Sequence, residues 1–258
     1  MDGNTQAKLE RQRAFWRREN HDRPVIGFTG SYFPTDTARM LRQAGPRLTP
    51  QDVRVEAFVE DCEAQYAAWR DCTGDLFWTA SPLPGFFRWL CGALGQPLSI
   101  RSENIWGEPF LTDYADLPKL APREGNPWVE ALWRLTDALA ARSGGRYPVA
   151  VAALLGPLSV LAELRSPTHL AADLYDHPDG VQEAMRLLTE WWVKLVSEHF
   201  RHLPQWHGGY TSSTRYLWAP GHIVEFDEDS SFMFSPRAHQ RFVMPHHREL
   251  VRHLDYAF

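Results

Sequence analysis

Five consecutive polar residues, Asp227, Glu228, Asp229, Ser230 and Ser231, lie between an apolar-rich run, Ile223 to Phe226, and the dipeptide Ser235-Pro236. Carboxylates this close together can bind a cationic or hydroxylated substrate, or pass a proton to one. Asp227 and Asp229 are therefore candidate catalytic groups, with Ser230 beside them as a substrate contact. Ser235 followed by Pro236 is a helix start, serine capping and proline at the first helical position. The order is thus strand, acidic turn, helix. In parallel α/β proteins, residues just past the carboxyl end of a strand face the ligand crevice. The same residues also suit a solvated loop with good capping chemistry, and at this level both readings stand.

A second polar set lies at Gln205-Trp206-His207-Gly208-Gly209-Tyr210. Paired glycines after a strand let a ligand approach the backbone closely. His207 is a third catalytic candidate and Tyr210 a substrate contact. The chain holds 11 tryptophans; Trp78, Trp206 and Trp218 fall beside expected strand ends, where aromatic faces can stack on a methylammonium, corrinoid or sugar-like ligand. Tyr32, in the loop after a first short strand, and Glu163, which is either a pocket carboxylate or a surface partner of Arg165, complete the substrate candidates. His239, His246 and His253 recur every seven residues on one helix, too far apart for chelation from a single helix, where two histidines four apart are preferred. No metal ligand set is predicted.

The elements that must position these groups alternate. Strands are expected at 24–29, 75–81, 97–101, 147–155, 205–210 and 223–227. The run YPVAVAALL is apolar throughout, as for a strand buried on both faces. Helices are expected at 6–20, 51–71, 86–95, from Asn126-Pro127 to Gly144-Gly145, after Gly156-Pro157, over 179–203, and from Pro236 to Leu254 with an interruption at Pro245. His199, on the long helix, reads as a core or rim residue.

The stretch from Phe226 to Pro245 resembles the uroporphyrinogen decarboxylase superfamily, which comprises that decarboxylase and the cobalamin-linked methyltransferases. The match rests on Phe226, Asp227, Ser235, Pro236, Arg241, Phe242 and Pro245, with one extra residue in the turn. The resemblance implies a (β/α)8 TIM-type barrel, a single domain over 1–258 that is incomplete at its C-terminus and continues past Phe258. The decarboxylases carry an arginine loop after the first strand and an aspartate at the end of the second. Here those places hold Gly30-Ser31-Tyr32-Phe33-Pro34 and Thr79-Ala80-Ser81, and Arg42-Gln43-Ala44-Gly45 lies about a dozen residues too late. The expectation is therefore a methyltransferase-like small-molecule enzyme; the alternatives are the decarboxylase (a carboxy-lyase) and a non-catalytic ligand-binding barrel. In the methyltransferase branch H-x-C on the next strand and a later cysteine bind zinc, so zinc and a corrinoid partner are implied only if the chain continues with those ligands.

Composition narrows the partners. A formal net charge of −5 shows no broad basic field for nucleic acid. Three cysteines, Cys62, Cys72 and Cys91, without C-x-x-C spacing, suit a reducing compartment. No apolar run approaches a membrane span and the N-terminus has no signal core. A cytoplasmic protein is expected, acting on a small molecule, as a homodimer or with a corrinoid protein, and binding neither nucleic acid nor membrane.

Overall fold

The computed structural model describes residues 3–28, 47–71, 73–83, 86, 88–101 and 104–257. Tyr32 and the Arg42 to Gly45 motif lie outside them. The chain is mixed α/β, and its centre is an arc of parallel pairings. Ala80 bridges Val149. Further along the same buried run, β4 (Leu154–Leu155) pairs with β8 (Phe226–Asp227), and β7 (Ile223–Val224) pairs with β9 (Tyr256–Ala257). Every residue from Tyr147 to Leu155 is buried, as its uniform apolarity requires. Parallel neighbours need long crossovers, and helices fill them. No closed barrel forms among the described residues.

Two expected barrel strands belong elsewhere. Residues 98–101 form β2 (Leu98–Arg101), antiparallel to β3 (Asn104–Gly107) and β1 (Arg47–Leu48) in a small separate sheet. The run 205–210 becomes β5 (Tyr210–Thr211), antiparallel to β6 (Trp218–Ala219). Between β2 and β3, and between β5 and β6, the link is too short for a parallel crossover, so those pairs form as hairpins.

Among the described residues the α-helices are α1 (Gly3–Arg17), α2 (Val55–Trp69), α3 (Trp89–Ala93), α4 (Pro127–Ser143), α5 (Pro157–Arg165), α6 (Pro167–Asp176), α7 (Pro178–His202), α8 (Pro236–Phe242) and α9 (Met244–Val251). Asn126 caps α4 through Trp128 and Val129, and Gly144, at φ 54°, ends it in the left-handed conformation. The C-terminal helix breaks between Phe242 and Met244, and Pro245 sits in the first turn of α9, where its missing N–H costs no helical bond.

The core runs between the parallel arc and α4, α5 and α7, with Leu135, Leu158, Leu161, Leu188 and Trp192 fully buried. His199 is among them. Its Nδ1 accepts from the Ala152 amide (3.5 Å), so the ring proton is on Nε2, which donates to Thr136 Oγ1 (2.8 Å). That hydroxyl in turn donates to Leu132 O (2.8 Å). Burial pushes the His199 pKa down to about 3. The imidazole is a neutral structural bridge between α7, α4 and the central strand.

Candidate active site

The acidic turn leaves the carboxyl end of β8 and meets the start of α5. Leu155 is in register with Asp227, and the Gly156 amide donates to Asp227 O (2.8 Å). Helix α5 opens with Gly156-Pro157, so it has no capping side chain of its own. Glu228 supplies the cap from across the sheet. Its carboxylate accepts from the amides of Leu158 (3.3 Å) and Ser159 (2.8 Å), the donors a helix start leaves open, at the positive end of the helix dipole. A β-carbon at residue 156 would overlap that carboxylate, so glycine is needed there for space; its φ is an ordinary −70°. On the other side of the turn the Ser230 amide donates to Ser159 Oγ (3.2 Å).

The Glu228 side chain is 8% exposed and also meets His247 Nε2 of α9 at 3.1 Å. The His247 ring packs near the Phe226 ring, at 5.3 Å. A histidine held by an anchored, buried carboxylate has a fixed ring orientation, the relation seen between a general base and its orienting group. Beside it, Asp227 is half-buried and Asp229 exposed. Burial, and then the neighbouring Asp229 with which it shares a hydrogen bond, raise the Asp227 pKa above the usual carboxylate range. The turn thus presents two neighbouring carboxyl groups, a third fixed on the start of α5, and an oriented imidazole.

The sequence-predicted residues divide between two ends of the sheet. Asp227, Asp229 and Ser230 are at the carboxyl end. Trp78 and Tyr147 pack edge to face (5.0 Å) two residues before the Ala80–Val149 bridge. Tyr147 and Leu155 are eight residues apart along extended chain, on the order of 25 Å. Trp78 and its neighbours therefore belong to the opposite, amino-terminal end. Trp206 is there too, its ring against Phe77 (4.7 Å) and its indole N–H on Gly145 O (3.0 Å). His207, at φ 50°, is exposed in the tight turn between Trp206 and Gly209, with its ring against Trp206. Tyr210 is buried, with its ring edge to face with Phe200 (4.9 Å) and tilted against His222 (5.3 Å). Trp218 is completely buried, donates to Trp206 O (2.9 Å) and packs under α1 with Leu9 and Phe77, which makes it a core residue with no open face. Glu163 pairs with Arg88 (2.8 Å), while Arg165 pairs with Asp173 (2.7 Å).

Glu228, His247 and Glu225 are the residues that sequence reasoning passes over. Glu225 is buried between β7 and β8 and holds the hairpin loop through Ser213 Oγ (2.9 Å) and Thr214 Oγ1 (2.8 Å). The signal for Glu228 is the uncapped Gly-Pro start of α5, which demands an acceptor from elsewhere.

The described residues do not fit zinc. No group of three or more His, Cys, Asp or Glu among them is placed to hold a metal. Cys91 is a buried free thiol, and burial drives its pKa far up, away from the thiolate a metal requires. Among the described residues, no helix is long and apolar enough to cross a membrane.

No known family profile matches this chain, and no curated protein matches it. Among solved structures it is similar to a methyltransferase from Methanosarcina mazei, with a TM-score of 0.62 and 15% sequence identity, over 96% of this chain and 67% of that one. The two share a fold.

Proposed function

We propose that the chain is a small-molecule enzyme that transfers a methyl group, with the acidic turn as its proton-handling centre. The observation that carries this reading is the Asp227–Asp229 pair at the carboxyl end of a parallel strand, beside the anchored Glu228–His247 contact. Support for methyl transfer comes from the shared fold and from the resemblance of residues 226–245, which also points to a (β/α)8 barrel and to a corrinoid as methyl donor. Carboxyl groups this close together can give a proton at one oxygen and take one at another. When a methyl group moves to a nucleophile X–H, the X–CH3 bond forms, the bond to the donor breaks, and the proton leaves X for the Asp227–Asp229 pair. Glu228, bonded to the helix amides, orients His247 towards the same turn. No step is assigned to zinc.

The test uses the purified protein with methylcobalamin as donor and a small thiol as acceptor, following loss of the methyl-corrinoid absorbance. Asp229→Asn and Asp227→Asn are each expected to slow turnover by roughly 10²- to 10⁴-fold while circular dichroism stays that of the parent. Undiminished turnover in both variants would remove the acidic turn from the chemistry. Binding of the donor without turnover in the parent protein would make this a ligand-binding domain.

A further inference from the structure

At the amino-terminal end of the parallel strands, away from the acidic turn, lies an open cavity of about 250 Å³. Its floor is aromatic. Tyr147 stands edge-on to Trp78 (5.0 Å) and tilted against Tyr66 (4.6 Å), and Phe77 and Trp206 extend this surface. Its rim is basic. Lys8, Arg70 and Arg146 line it against one acidic side chain, Asp71, in a chain whose formal net charge is −5. The local sign is therefore opposite to that of the molecule.

Each cation is placed by the fold. Lys8 Nζ is held by Thr73 Oγ1 (3.0 Å) and Leu76 O (3.1 Å), which aims the ammonium from α1 across the cavity edge. The guanidinium carbons of Arg70 and Arg146 each lie 5.7 Å from the Tyr66 ring centre. Glu63 does not cancel this charge alone, since its one carboxylate serves both Arg146 (2.6 Å) and Arg142 (3.8 Å) and also accepts from Tyr147 Oη. Asp71 is 86% exposed and reaches Arg70 only at 3.5 Å, so water screens that pair.

Guanidinium and ammonium groups around a ring-lined recess are the complement of an oxyanion on a flat body. The cations bind the oxygens, and the partly exposed Tyr66 and Trp206, backed by the buried rings of Tyr147, Trp78 and Phe77, cover the ring. The volume suits such a headgroup, slightly below that of sites enclosing a whole drug-sized ligand. We infer that this cavity is a binding site for an aryl phosphate or aryl carboxylate, separate from the acidic turn and independent of what the turn catalyses.

Isothermal titration calorimetry of the intact chain with phenyl phosphate, inorganic phosphate and benzyl alcohol tests this. Phenyl phosphate is expected to bind more tightly than inorganic phosphate, and benzyl alcohol to give no saturable heat. Benzoate in place of phenyl phosphate separates the two oxyanion sources. Arg70→Gln and Lys8→Gln should each weaken binding by about tenfold, the loss of one charge-assisted contact, and added salt should weaken it further. The Arg70 guanidinium is 55% exposed, so Arg70→Gln keeps the test valid if Lys8→Gln loosens α1. No binding of either aryl anion, equal affinity for phenyl phosphate and inorganic phosphate, or affinity unchanged in both variants would each overturn the assignment.

Discussion

At the scale of single residues, the acidic turn shows how one side chain can be legible by type and opaque by role. Asp227, Asp229 and Ser230 stand out as polar residues after an apolar run. Glu228 sits between them and looks the same, yet its carboxylate is committed to the Leu158 and Ser159 amides and to His247. Nothing local marks it, because the helix start it caps lies about seventy positions earlier in the chain. Glu228→Gln keeps the shape but removes the charge from a helix start and a histidine. It should destabilise the fold by about 1–3 kcal/mol in urea unfolding, with a larger fractional loss of turnover than of stability if His247 depends on it for orientation. Asp227 has the opposite sign. Its raised pKa means that the native state favours the protonated form, so its stabilising share is complete below the ordinary carboxylate pKa and lost as pH rises through the raised value. Asp227→Asn is therefore expected to unfold at higher urea than the parent at neutral pH, and the difference should shrink on acidification. A variant less stable at neutral pH than the parent would contradict the crowding of charge described here.

At the scale of elements, the local chemistry of starts and stops was readable where it is local. Asn126-Pro127, Gly144, Ser235-Pro236 and the break near Pro245 all act as their types predict. Pairing was not readable, since a short apolar run suits a parallel strand or one arm of a hairpin equally well. That is why 98–101 and 205–210 were expected in the parallel set and are found antiparallel. It is also why the two polar sets of the sequence fall apart in space, with His207, Trp206, Tyr210 and Trp218 around the hairpin and Asp227 at the far side. His199 tests how elements are joined. Its pKa falls to about 3 because the ring is buried, so the unfolded chain binds a proton below about pH 6.5 that the native state refuses until about pH 3. Stability held above pH 6.5 is lost as pH falls through that window, on the order of 2 kcal/mol between pH 7 and pH 5 for one such group. His199→Gln, which takes up no proton, should flatten this slope in urea titrations at the two pH values while lowering stability at pH 7 through its poorer fit to Thr136 and Ala152.

At the scale of the whole molecule, the two ends of the sheet should behave as separate devices. They are on the order of 25 Å apart along the Tyr147 to Leu155 strand, beyond the range at which substitutions usually couple. In a double variant, Asp229→Asn with Arg70→Gln, the stability changes should add to within about 0.5 kcal/mol, and each single change should leave the other end's ligand affinity alone. Helix α1 is fastened at the amino-terminal end, by contacts with residues 75–77 and 218. Gln12 is fully buried, donates to Asp75 O (2.7 Å) and accepts from the Trp218 amide, while the Trp16 indole donates to Trp218 O (2.7 Å). The Arg13 guanidinium lies 4.9 Å from the Trp218 ring. Helix α1 is thus fastened to residues made about two hundred positions later. At roughly 5–20 residues per second, it spends on the order of 10–40 s with Leu9, Gln12 and Trp16 uncovered before its seat exists. Over that interval the nascent chain has a ready handle for chaperones, and for premature contact with its own neighbours on a polysome.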